Sequence, residues 1–244
     1  MATLAVFAAA LATAIATGLG ALPFVVERRG LRRWLGPANG LAAGVMLGAS
    51  ASLLIEGVDR SAGRTAIGGL GGIAFVYLAY HVIGEHEALT LGTLRGADAR
   101  KALLIVGVMT AHSAGEGIGV GAAFGDTKTF GLLIAVAIAV QNIPEGVAIS
   151  LVLVPRGTRV RSAAGWSVFS SLPQPLLAVP AFLFVEQFRT VLPVGLGFAA
   201  GAMVWMVARE LLPDALSYGP RRAVAADIAA AFVLMLALQL RLAA

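Results

Sequence analysis

Apolar runs of about twenty residues follow one another along almost the whole chain, separated by short stretches where charges and turn residues collect. Eight runs are delimited, at about 3–26, 36–57, 65–84, 102–124, 129–154, 163–185, 190–212 and 223–242. A helix rising about 1.5 Å per residue crosses the roughly 30 Å hydrocarbon core in one such run. The linkers are too short to hold a soluble domain. The pattern predicts an all-α integral membrane protein with eight transmembrane helices, forming one transmembrane domain over residues 1–244. The first run lacks a basic n-region and an A-x-A exit and is too long for a signal h-region, so it reads as a retained span.

Basic residues orient these spans. The first loop has Arg28, Arg29, Arg32 and Arg33, the third Arg95, Arg100 and Lys101, the fifth Arg156, Arg159 and Arg161, and the seventh Arg221 and Arg222. Even-numbered loops hold only Arg60, Arg64, Lys128 and Arg189. Lysine and arginine collect on the cytoplasmic side, so odd loops are expected inside and both termini outside. The expected location is the inner, cytoplasmic membrane, as a multi-pass protein.

Polar residues inside the runs break the pattern most clearly in the fifth, A-V-Q-N-I-P-E-G-V-A-I-S. An ionisable side chain at mid-depth costs roughly 2.5–3.5 kcal/mol on insertion scales and normally faces a cavity or a partner. Gln141 and Glu145 are four apart, and Asn142 is three before Glu145, so all three share one helix face. Pro144 has no N–H, which frees a carbonyl one turn earlier and predicts a broken helix. The fourth run repeats the pattern in V-M-T-A-H-S-A-G-E-G, with His112, Ser113, Glu116 and Gly117. Consecutive spans run antiparallel, so the two copies form an inverted pair around one point, a common way to build a midplane transport site.

Other polar positions have two readings each. Met46 in the second run fills a packing gap or offers a thioether. Glu56 and Asp59 at its outer end draw cations toward a mouth or are solvated loop charges. His81, Glu85, His86 and Glu87 at the end of the third run, with Glu210 and Asp214 at the end of the seventh, form an inner vestibule or lie at the headgroup level. In S-S-L-P-Q-P-L two prolines flank Gln174, which lines the site or satisfies backbone groups freed by the kink.

Composition narrows the chemistry. With 59% apolar and 13% charged residues the chain does not read as a soluble domain. Its 30 glycines suit close helix packing in lipid, and the absence of cysteine excludes a disulfide framework and a thiolate metal site. The basic balance comes from loop arginines with no interleaved aromatics, so no nucleic-acid partner is expected.

At His112–Gly117 and Gln141–Gly146 the chain resembles the ZIP family of divalent metal transporters, its bacterial members in particular. That family carries H-N-x-x-E-G in the fourth span and H-N-x-P-E-G or a close variant in the fifth. The resemblance extends to eight spans, outside termini and a small-residue second span with a methionine. It implies a ZIP-like inverted-repeat bundle and metal ligands at Met46, His112, Glu116, Gln141, Asn142 and Glu145, with Ser113 and Gln174 as further candidates. Ser113 stands where the family usually has asparagine, Gln141 where many members have histidine, and Gln174 where a sixth-span glutamate is aligned. The loop between the third and fourth spans is short and poor in histidine. These departures put a second metal position and the usual metal preference in question.

The expected function is a permease that brings a divalent transition-metal ion, zinc or else iron, manganese, cobalt or cadmium, into the cytoplasm. Its partners are that ion and the bilayer, with a homodimer by analogy and no cofactor beyond the transported metal. Glu116 and Glu145 together neutralise one dication. The family implies sliding of spans one, four, five and six against the others. An intramembrane zinc hydrolase needs about three firm ligands, an open water position and a base. Only one of three histidines lies at mid-depth, and there is no H-E-x-x-H. An ion-coupled carrier of an organic solute would still work after divalent ions are chelated.

Overall fold

The computed structural model describes the backbone of residues 2–26, 32–84 and 96–243, with side chains over 2–26, 35–82, 106–107 and 109–241. Arg28, Arg29, Glu85, His86, Glu87 and Arg95 lie outside the described residues, as do the side chains of Arg32, Arg33, Arg100 and Lys101. Every regular element among the described residues is helical: α1 (Ala2–Leu19), α2 (Pro23–Val26), α3 (Arg32–Gly84), α4 (Gly96–Asp126), α5 (Lys128–Leu153), α6 (Val160–Ser170), α7 (Pro173–Gln187), α8 (Leu192–Met206), α9 (Leu212–Tyr218) and α10 (Arg221–Ala243). Short 3₁₀ turns precede α6 and α8, and a π-helical turn, Val207–Leu211, joins α8 to α9.

Six stretches of described residues are long and apolar enough to cross a membrane: Ala2–Val26, Leu35–Val82, Lys128–Arg156, Val160–Gln187, Arg189–Tyr218 and Arg221–Arg241. As one straight helix the 48 residues of Leu35–Val82 would be about 72 Å long, more than twice the hydrocarbon thickness. They do not stay straight. Ser61 leaves the helical region (φ −167°, ψ 101°). A Cβ on Gly57 would lie 2.8 Å from the Thr65 hydroxyl, whereas residues eight apart on a straight helix are about 12 Å apart. The chain therefore folds back on itself at Ser61, between the two runs read from the sequence.

Local chemistry explains the other boundaries. Only Thr127 separates α4 from α5; it is extended, and its hydroxyl caps α5 by accepting from the Phe130 N–H at 3.1 Å. Pro173 starts α7 at a position where a missing N–H costs nothing, so the sixth run becomes two helices with a turn at Ser171–Leu172. The expected break at Pro144 is absent: α5 continues through it. One exposed apolar stripe of α5, Leu132, Val136, Val140 and Ile143, suits contact with hydrocarbon, while Gln141, Asn142 and Glu145 are buried.

Packing divides the helices into two groups. α1, α4, α5, α6 and α7 pack mainly on one another, and α3, α8, α9 and α10 do the same. α4 and α5 meet the second group through α3 and α8. Glycine sets how close these helices come. A Cβ on Gly117 would stand 2.6 Å from the Gln174 carbonyl oxygen, so α4 and α7 touch backbone to backbone beside the buried polar residues. Gly146 of α5 faces the Thr17 carbonyl of α1 in the same way, and Gly201 of α8 faces Gly69 of α3.

A Cβ on Gly201 would meet Gly69 backbone atoms at 2.8–2.9 Å, while Gly165 of α6 has open space around it. Gly201→Ala should therefore destabilise the fold by about 1–3 kcal/mol through overpacking. Gly165→Ala should be neutral or stabilise by up to about 1 kcal/mol through helix propensity. Thermal unfolding of the two purified variants checks the ordering.

Candidate metal centre

α4 and α5 bring their polar faces together, as one-residue hairpins of antiparallel helices must when each has one polar stripe. His112 and Glu116 stand one turn apart on α4, and Gln141 and Glu145 one turn apart on α5. His112 Nε2 lies 3.3 Å from Glu116 Oε1 and 3.4 Å from Glu145 Oε1. One ligand atom from each of His112, Glu116 and Glu145 falls within 4.8 Å of the others. All three side chains are buried, with His112 and Glu116 at 0% exposure and Glu145 at 3%.

The carboxylates are held unequally. Glu116 accepts a hydrogen bond on Oε1 from the Gln141 amide and one on Oε2 from the Gln174 amide, beside the imidazole. Glu145 meets only the imidazole among the described residues. Glu116 is held by two amides and the imidazole, Glu145 by the imidazole alone among the described residues. Buried polar groups normally find partners. Among the described residues, His112 Nδ1, Gln141 Oε1, Asn142 Oδ1 and Ser113 Oγ have no hydrogen-bond partner, and His112 Nε2 meets only the two carboxylates. Acceptors without donors, next to two carboxylates, form a donor set of one imidazole and several oxygens that suits a borderline or hard divalent cation.

A second layer ties this group to α1 and α7. Gln174 Oε1 accepts from the Thr13 hydroxyl at 2.5 Å and from the Asn142 amide at 3.2 Å. The Asn142 amide also donates to the Thr13 carbonyl at 2.8 Å. One turn on, Thr17 and Ser171 share a hydrogen bond of 2.7 Å. With its oxygen engaged there, Gln174 turns its NH₂ toward Glu116 and acts as a donor to the acid.

The sequence pattern thus found His112, Ser113, Glu116, Gln141, Asn142, Glu145 and Gln174, and all are buried. Met46 is fully buried in the apolar core together with Met203 and Met206. Thr13 and Thr17 were missed; their one-turn spacing in an otherwise apolar first run was the available signal. Glu210 is half-buried on the π turn, and Asp214 is exposed in the first turn of α9. His81 packs against Tyr77 (ring centroids 4.2 Å) and near Tyr80, whose ring meets Trp205 at 5.7 Å, an aromatic belt typical of a membrane interface. Glu56 pairs with Arg60 at 2.6 Å, and Asp59 is exposed.

The ZIP Zinc transporter family model matches residues 84–237. A putative zinc transporter of Arabidopsis thaliana is 49% identical over 208 residues, which is 84% of this chain and 33% of that protein, so the chain spans about a third of that relative's length. Zinc transporter GufA of Myxococcus xanthus is 33% identical over 96% of this chain and 97% of its own. Zinc transporter ZIPB of Bordetella bronchiseptica is 33% identical over 91% of this chain and 76% of its own.

Thr13→Val and Gln174→Leu remove the two ends of one buried hydrogen bond. Thr13→Val should cost about 0.5–1.5 kcal/mol. Gln174→Leu should cost more, because Asn142 and Glu116 each lose a partner with it. The double variant should lose less than the sum, since the shared bond is broken only once. Denaturation of the four proteins of this cycle is the measurement.

Proposed function

The chain belongs to the ZIP zinc transporter family, and from that premise we propose that it moves a divalent transition-metal ion, zinc before the others, across a membrane through the His112–Glu116–Glu145 centre. The observation that carries this reading is the buried triad, with ligand atoms within 4.8 Å of one another, on two adjacent helices of which one presents an exposed apolar stripe on its opposite face. Two carboxylates balance one dication, which lowers the cost of holding it away from water. A transporter family leaves no place for the hydrolase alternative.

The proposed ligand set is His112, Glu116 and Glu145 from the triad, with Gln141 Oε1, Asn142 Oδ1 and the Met46 thioether around it. The free acceptor atoms of Gln141 and Asn142 support their inclusion; Met46 enters on the family pattern. Glu145 swings onto the ion while Glu116, braced by two amides, keeps its place.

The chain is proposed to be one transmembrane domain of eight passes, with both termini extracytoplasmic. The fold-back at Ser61 supports the count, and the concentration of arginine in odd loops supports the orientation. Metal moves inward, in a cytoplasmic membrane, by alternating access. The division into an α1/α4/α5/α6/α7 group that holds the triad and an α3/α8/α9/α10 group beside it supports a sliding motion between the two.

Glu145→Ala should abolish zinc uptake into proteoliposomes while the apo protein keeps its thermal stability, because the variant removes a buried charge with a single partner. Normal flux in the folded variant would sink the site. A second expectation concerns stoichiometry. Neighbouring dications repel, and among the described residues only Glu116 and Glu145 offer negative charge in this centre, with Gln174 neutral beside them. The wild type should bind one ion in this centre. Gln174→Glu should add a second ion or bind the first more tightly, as read by elemental analysis and anomalous diffraction.

A further inference from the structure

Four basic residues fall in the outer loops of the proposed topology, and metal binding leaves all of them unused: Arg60, Arg64, Lys128 and Arg189. Arg60 and Arg189 converge on one point. Arg60 is the last residue before the fold-back at Ser61. Its guanidinium reaches Glu56 one turn earlier at 2.6 Å and also Asp126, the final residue of α4. Arg189, on the 3₁₀ turn leading into α8, donates to the Gly125 carbonyl beside Asp126. Arg64 braces that turn through the Thr190 carbonyl at 3.2 Å. The C-terminus of a helix leaves carbonyls unpaired and carries partial negative charge, so two guanidinium groups there are well placed.

The contacts cross the boundary between the two helix groups. Arg60 belongs to the α3/α8 side, and Arg189 stands on the turn that joins α7 to α8; Gly125 and Asp126 end the helix that holds His112 and Glu116. Beside them lies a cavity of about 410 Å³ lined by Glu56, Arg60, Asp126, Thr129, Leu133 and Gln239. Leu133, Ala137 and Gln141 follow at four-residue steps along α5, so the inner end of this cavity, at Leu133, stands about two turns outward of Gln141. Ala137 is buried between them.

We propose that Arg60 and Arg189 are gate residues: a clasp that holds the outer end of α4 against α3 and α8 while the triad is shut off from the outside, and that must release before a divalent cation passes from this cavity to Gln141 and Glu116. The proposal rests on the transport reading and on its topology. One ion pair, open to solvent at Arg60 and reached by salt, and one hydrogen bond to a backbone carbonyl make a latch that opens thermally rather than a lock. Opening also frees Glu56 and Asp126 from the guanidinium, so negative charge faces the cavity when a cation is to enter it.

The chain has no cysteine, so a single introduced thiol reports cleanly. Ala137→Cys places one between the cavity and Gln141. Its maleimide labelling rate in detergent solution should rise several-fold when Arg60→Gln and Arg189→Gln are added, and should rise in the unaltered clasp at high salt. An unchanged or slower rate in the folded variant overturns the clasp. Should the double glutamine variant lose its fold, a second protein decides: Arg60→Cys with Asp126→Cys, tethered by a short bismaleimide, should stop zinc uptake that the untethered protein supports. Full uptake with the tether in place overturns the proposal. Labelling involves no metal, so a raised rate in a protein that never takes up zinc supports the clasp and counts only against the metal reading.

Discussion

Two carboxylates inside a helical membrane bundle are the constraint on which the rest of this structure depends. Glu116 and Glu145 have almost no exposure, and a buried acid without compensation is among the costliest features a fold can contain. The surrounding helices supply that compensation. Gln141 comes from the same hairpin, Gln174 from the start of α7, and His112 stands between the two acids. These donors reach their acceptors because the backbones approach closely. Gly117 lets α4 touch the first turn of α7, and Gly146 lets α5 touch α1. A side chain at either glycine would push away the helix that carries the donor or its support. Packing and electrostatics are thus one requirement at this site.

The amide network has a direction. Thr13 and Asn142 engage the oxygen of Gln174, which leaves its NH₂ for Glu116. A neutral side chain here braces one acid and adds no charge. The proposed centre is therefore balanced for a single dication, with one fixed carboxylate, one mobile carboxylate and an imidazole. α1, with no ionisable group of its own, takes part through Thr13 and Thr17, so every helix of the α1/α4/α5/α7 set touches the network.

Irregularities in the helices fall where the two groups meet or where the site is supported. α3 folds back at Ser61, directly beside the Arg60 contacts to α4. The sixth run breaks just before Gln174, which frees the α7 terminus to approach Gly117. The seventh run relaxes into a π turn at Glu210, a kind of local defect that often accompanies function. Around these points the helices are regular and tightly packed, as the proposed sliding motion of whole groups requires.

The sequence by itself determined that the elements are long apolar helices, and it made most of the candidate site legible. Hydrophobic run length does this because a bilayer leaves no other solution for the backbone than a helix. Polar residues at helical spacing inside those runs identified His112, Glu116, Gln141, Asn142 and Glu145, because a buried polar group in lipid is too costly to be incidental. Local rules failed where a tertiary contact outweighs them. Pro144 predicts a break, yet α5 stays helical because packing against α1, α3 and α4 offsets one lost hydrogen bond. Gln174 was legible as a polar residue between prolines, but only the arrangement of α1, α4 and α7 engages its oxygen elsewhere and turns its NH₂ toward Glu116 as a donor. Thr13 and the Arg60–Asp126 contact, 66 residues apart in the chain, left almost no trace in the pattern. Their partners come from distant segments, and which segments meet is decided by how the helices pack, a property no single run contains.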